Sequence, residues 1–144
     1  DIDRPVGGRQ EKSDFLAKEL SSDLAVIESF GHKVILIQAV PQFRTPGPAW
    51  EPKECNLLEL TSDRCARSVP VTVLDQTQKY NREAIQEVGA ELSIPVLDLR
   101  PELCADGLCS TGDGQGFLTY RDDIHISVEE AKRLVPVFEK VLAE

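Results

Sequence analysis

Apolar positions along this chain alternate between two periodicities. From Asp14 to Phe30, the residues Phe15, Leu16, Leu20, Leu24, Ile27 and Phe30 recur at helical spacing, with Ser13 placed as an N-cap and Gly31 as the stop. The run "KVILIQAV" that follows is continuously apolar and β-branched. That is the pattern of a strand buried on both faces of a parallel sheet, and Pro41 ends it. A second helix is predicted over 74–90, with Asp75 or Thr77 near its start and Tyr80, Ala84, Ile85 and Val88 on its inner face. "SIPVLDL" predicts a second short buried strand ending near Asp98. Residues 100–116 read as a loop and "FLTYR" as a short extended piece. Ser127 then caps a final helix reaching about Leu142, which Pro136 should kink.

The order helix, strand, helix, strand, helix predicts an α/β fold, with parallel strands sandwiched between helices as a three-layer α/β/α domain over 1–144. In such sheets, sites gather beyond the C-terminal ends of the strands. The connections after Ala39 and after Asp98 leave that edge, and the "RDDIH" turn is expected to reach it. Two strands make a thin sheet, so the domain reads as incomplete, with its first strand upstream. The polar start "DIDRPVGGRQEK", without an initiator Met, fits either a cut into a longer protein or a processed end. Residues 41–70 form a long connection with five prolines, in which "NLLELTS" is expected to make a short helical turn.

Composition narrows the function classes. The net charge is −9, from 16 basic and 25 acidic residues, and no basic stripe with interleaved aromatics is present, which argues against a nucleic-acid partner. The longest apolar runs are far too short to span a bilayer. Four cysteines fall in two local pairs, Cys55 with Cys65 and Cys104 with Cys109. Four cysteines allow three pairings, of which nearest-neighbour pairing is the simplest because each bridge closes a short loop. Free thiols and a zinc site are the alternatives, but the usual CxxC knuckles of a zinc site are absent. Disulfides would staple the 41–70 connection and imply an oxidising, extracytoplasmic compartment.

The chemistry concentrates in "YRDDIHIS". A neutral histidine takes a proton from a serine hydroxyl when a carboxylate on its other ring nitrogen fixes the tautomer and stabilises the imidazolium. Asp122 and His125 are spaced so that the carboxylate can fold back onto the imidazole. Asp123 then reads as a solvent-facing or first-turn charge. On spacing alone, a charged helix entrance with a surface histidine fits as well. His32, between a helix stop and a strand, lies at the wrong edge of the sheet for a site and reads as a surface residue.

Several blocks in order, "AVPQF", Cys55 and Cys65, "LDLRPELCADGLC" and "YRDDIHIS", resemble the SGNH hydrolase domain that is fused to membrane-bound acyltransferase-3 proteins. The likeness runs from about Asp14 to the C-terminus. It departs at Ile126, where Leu is usual, and at Glu130, where Gly is frequent. The resemblance implies a flavodoxin-like α/β/α fold, a Ser-His-Asp mechanism with Asp122 as acid and His125 as base, and no cofactor or metal. It also implies an acyl donor and a cell-surface glycan acceptor as partners, with the membrane acyltransferase-3 domain in the full-length protein. The family's nucleophile lies in a G-D-S block, and no such block occurs here. "KSD" at 12–14 has the wrong order, so the serine is expected outside this chain and Ser13 is not promoted to its place. The family's Gly and Asn oxyanion donors have no assignable counterparts. The reading is therefore the C-terminal portion of an extracytoplasmic O-acyltransferase or esterase, inactive on its own. The alternative is a disulfide-stapled binding or assembly module that keeps the turn without using it.

Overall fold

The computed structural model describes residues 8–44, 50, 52, 65–113 and 115–143. The described chain is an α/β structure of two compact units. One comprises residues 1–39 with 76–98, the other 40–75 with 99–144. No helix among the described residues is long and apolar enough to cross a membrane.

The first unit pairs helix α1 (Arg9–Ser29) and helix α3 (Lys79–Leu92) with strands β1 (Leu36–Ile37) and β3 (Val96–Leu97). Leu24, Val88 and Ile94 form its buried centre, joined by Ala17, Leu20, Val34, Leu36 and Leu92. Ala84 and Val88 of the expected inner face are fully buried. The strands run parallel, with Leu36 opposite Val96 and Ile37 opposite Leu97. The strand expected over "KVILIQAV" is thus only two residues long. Pro95 offers the ladder a carbonyl, taken by Leu36 N–H at 2.9 Å, but no donor of its own. Nor is β1 buried on both faces, because Ile37 remains 47% exposed.

Helix α1 starts earlier than expected and is not capped by Ser13. Gly8 precedes its first turn, and Arg9 to Lys12 are good helix formers. Ser13 lies inside the helix, buried, and its hydroxyl donates to the Tyr80 carbonyl at 2.8 Å. The helix expected over 74–90 is two helices, α2 (Val71–Thr77) and α3, separated at the buried Gln78. The β-branched content of "VTVLDQT" makes the first of these a weak continuation of the second. Gly89 sits where the backbone of α3 crosses β3. A Cβ there would lie 2.3 Å from Val96 Cγ2 and 3.1 Å from the Ile94 carbonyl.

The second unit is built on a three-stranded antiparallel sheet in the order β2 (Ser68–Pro70), β5 (Leu108–Ser110), β4 (Cys104–Ala105). Residues 100–116, expected as a loop, instead contain the short helix α4 (Arg100–Leu103) and the β4–β5 hairpin. Its turn is Asp106-Gly107, with φ of 51° and 76°. An Asp-Gly pair flanked by strands is the sequence sign of such a turn, because both central residues need positive φ. Gly107 O also accepts the first N–H of α2, from Val71, at 2.9 Å. Cys104 and Cys109 face each other across the hairpin and are disulfide-bonded. Cys65 is also in a disulfide. Cys55, its expected partner, lies outside the described residues, as does "NLLELTS".

The core of this unit holds Phe43, Trp50, Val69, Leu74, Cys109 and Tyr120. The C-terminal helix does not kink at Pro136 but stops and restarts, as α5 (Val128–Arg133) and α6 (Val135–Leu142) with Leu134 between them. Pro136 sits in the first turn of α6, where its missing N–H costs nothing.

Two stability outcomes follow. Gly89→Ala should lower the unfolding free energy by about 1–3 kcal/mol in denaturant titration, because the added methyl meets backbone as well as Val96. Replacing Cys104 and Cys109 together by Ser should cost at least ~2 kcal/mol, the chain-entropy value for so short a loop, because the serine hydroxyl at position 109 would also be buried in the apolar core. Non-reducing peptide mapping should recover Cys104 and Cys109 in one bridged peptide.

Candidate functional site

The turn carrying Asp122 and His125 lies in the second unit, between an isolated bridge and a helix start. Tyr120 pairs with Ile126 in an antiparallel bridge, and Arg121 N–H donates to the His125 carbonyl at 2.9 Å. Ser127 N–H donates to the Thr119 carbonyl at 2.8 Å, and its hydroxyl accepts Glu130 N–H at 3.0 Å as the cap of α5. Ser127-x-x-Glu130 has the spacing of a capping box, but only half of one forms. The Ser127 N–H is already taken by Thr119, so the Glu130 carboxylate turns to Arg133 instead, with contacts of 2.5 to 3.1 Å.

Within the turn, Asp122 collects the donors. Its Oδ1 accepts Ile124 N–H at 2.9 Å and His125 N–H at 2.8 Å. Nδ1 of His125 lies 2.9 Å from Oδ1 and 2.8 Å from Oδ2. Arg121 Nε is 3.7 Å from Oδ2. Desolvation alone would raise the Asp122 carboxyl pKa. The hydrogen bonds from Ile124 N–H, the His125 ring and His125 N–H, with the His125 charge, outweigh it and hold the group below its ordinary value. An ionised carboxylate only accepts, so Nδ1 donates to it, and whenever the ring is neutral its lone pair is on Nε2. Among the described residues Nε2 has no partner, and the imidazole is 53% exposed.

Asp123 departs from expectation. It is not a solvent-facing charge but 8% exposed, and its Oδ2 takes Arg44 Nε at 2.9 Å. Its carbonyl accepts Phe43 N–H at 2.7 Å. Phe43 is fully buried, packs edge-on to Tyr120 at 4.8 Å between ring centroids, and gives its carbonyl to Arg67 Nη1 at 2.7 Å. Burial first, and the Glu130 charge second, push the Tyr120 phenol well above its usual range, so it stays protonated. Arg44 had no sequence signal, since it stands 79 residues from its partner. His32 is exposed, between α1 and β1. No cluster of three or more potential metal ligands occurs among the described residues.

The folded value of Asp122 lies below its unfolded one. Its contribution to stability is therefore complete above the unfolded value of about 4 and is lost as pH falls through the folded value. Carboxyl NMR titration should place the Asp122 midpoint below ~3.9, the value for an unperturbed aspartate. Asp122→Asn should remove that part of the acid-unfolding profile; a midpoint at or above the ordinary value would contradict the hydrogen-bond account.

A match to a protein-family model covers nearly the whole chain: residues 2–140 fit the model described as SGNH domain (fused to AT3 domains). No curated protein and no solved structure shows a significant match. Domains of this description are hydrolase-like modules associated with acyltransferases, and the AT3 domains to which they are fused are membrane domains. The four blocks that resemble the family all fall within the matched span, and the chain belongs to the SGNH domain family fused to AT3 domains.

Proposed function

We propose that this chain is the part of an SGNH-type O-acyltransferase or esterase that carries the acid and the base. The proposed site works outside the cytoplasm on cell-surface glycans. The observation that carries the reading is the pairing of Asp122 with Nδ1 of His125, which leaves Nε2 without a partner among the described residues. In this reading a serine from outside these residues approaches Nε2 and attacks an acyl donor. His125 takes the hydroxyl proton as the serine oxygen bonds the acyl carbon, and Asp122 stabilises the imidazolium. His125 returns the proton to the leaving group, and the acyl-serine remains. A sugar hydroxyl then attacks it in a transferase, or water in an esterase; His125 takes the proton of the attacking group and returns it to the serine oxygen as the acyl–serine bond breaks, which releases the new ester or the free acid. Ser13 does not compete for the nucleophile's role, because its hydroxyl is buried in α1 and held by the Tyr80 carbonyl. The membrane AT3 domain is the natural source of the acyl group in this scheme.

In the full-length protein, His125→Ala should abolish acyl transfer from the AT3 domain to the glycan. Its unfolding free energy should stay within about 1 kcal/mol of the parent, as for an exposed position. Retained transfer would remove His125 from the mechanism and favour a binding module. The 144-residue chain alone should show no turnover of small acetyl esters. Robust turnover that disappears in His125→Ala would place the nucleophile within the chain.

A further inference from the structure

The turn is held at two levels. Asp122 organises it from inside, through the N–H groups of Ile124 and His125. Asp123, the next residue, is bound from outside by two consecutive residues of a distant segment, Phe43 N–H to its carbonyl and Arg44 Nε to its carboxylate. That segment is itself fixed, because Phe43 is fully buried against Tyr120 and its carbonyl is bound by Arg67. The contact is asymmetric. The Asp123 side chain is 11% exposed and the Arg44 side chain 60%. Arg44 therefore loses little hydration by pairing, whereas Asp123 without it would be a buried, uncompensated carboxylate.

From this geometry we infer that Arg44 and Asp123 form a positioning clamp that sets the orientation of the Asp122–His125 pair. The inference rests on the catalytic reading of that pair, since it assigns the clamp a part in the same site. Without Arg44, the Asp123 carboxylate loses its ion-pair partner and swings toward water, and this displaces the backbone one residue from Asp122. The donors Ile124 N–H and His125 N–H belong to the same turn, residues 122–125, so the displacement loosens the carboxylate's hold on Nδ1. Arg44 reaches no reacting atom in this account, and its effect passes entirely through Asp123. The sequence hides the role because "DD" before a helix reads as two similar charges. In the structure they have different work: one carboxylate faces the imidazole, the other the guanidinium.

Two measurements test the clamp. The first needs no catalysis: long-range 15N–1H correlation of the His125 ring in the 144-residue protein. The parent should show the Nδ1–H tautomer. Arg44→Ala and Asp123→Asn should each shift the ring nitrogens toward the averaged values of a free imidazole, and Arg44→Lys, which keeps the charge, should restore most of the parent signature. The second is acyl transfer by the full-length protein, per folded molecule. Arg44→Ala should lower kcat by about 10- to 100-fold with KM little changed, the scale expected of a misplaced catalytic group. The double variant Arg44→Ala/Asp123→Asn should be no worse than Arg44→Ala, because the two residues act as one unit. An unchanged ring signature with only a lower Tm would make the pair mere structural support and overturn the proposal. Multiplying losses in the double variant would overturn it as well. If Arg44→Ala does not fold, Arg44→Lys and Asp123→Asn carry the same comparison. His125→Ala separates the two claims: if it keeps transfer, the catalytic reading fails, while the ring signature still decides whether the clamp orients the pair.

Discussion

A carboxylate folded back onto its own turn survives only if donors surround it, and Asp122 supplies the constraint from which the site follows. Two backbone N–H groups and one ring nitrogen converge on it. The backbone donors fix the path of residues 122–125, and the ring nitrogen fixes the tautomer. One four-residue turn thus sets both the local fold and the state of the imidazole. The antiparallel bridge on one side and the Ser127 cap on the other hold the ends of that turn, so that the interior hydrogen bonds form without strain in the flanking chain.

The second unit handles its buried acids in one way. Asp123 and Glu130 are 8% and 1% exposed, and each is met by an arginine whose own side chain is at least half exposed. Burying both members of an ion pair carries a desolvation cost that Coulomb attraction only partly returns. Leaving the guanidinium half in water reduces that cost on one side. The planar fork of arginine suits the task, since Arg133 spans both Glu130 oxygens and still reaches the Glu102 carbonyl at 2.8 Å.

The parts legible in the sequence were those encoded locally. The apolar face of α3 follows from spacing and the two parallel strands from apolar runs, whereas of the six apolar positions that predicted a face for α1, Phe15, Ile27 and Phe30 are exposed and only Leu24 is buried. The stop after Phe30 and the cap at Ser127 follow from single residues with a defined mechanism. The contact of Asp122 with His125 was legible because the two residues are three positions apart. What the sequence does not show has separate causes. The strands of the Asp-Gly hairpin in "CADGLC" are two and three residues long, below the length at which alternation becomes visible. The helix-interior role of Ser13 depends on Tyr80, which lies 67 residues away, so its own neighbourhood reads as a cap. Asp123 reads as a solvent-facing charge because nothing within its own segment announces Arg44. Long-range pairing of single residues leaves no periodicity, and only the fold reveals it.

The same locality bears on how the proposed chemistry is divided. An acid and base joined by one turn can be preserved as a unit, whereas the serine that they would activate has to be brought to Nε2 by the fold. An imidazole more than half exposed is in contact with water, which competes for its lone pair and screens its charge. The advantage of a triad over imidazole in solution comes from preorganisation and from exclusion of that water. In the proposed mechanism, whatever brings the serine and the acyl group to His125 must therefore also cover the ring. Asp122 is already provided for in that mechanism, since its donors come from its own turn. The reorganisation left for the catalytic step then falls on the Nε2 side alone, where the nucleophile arrives.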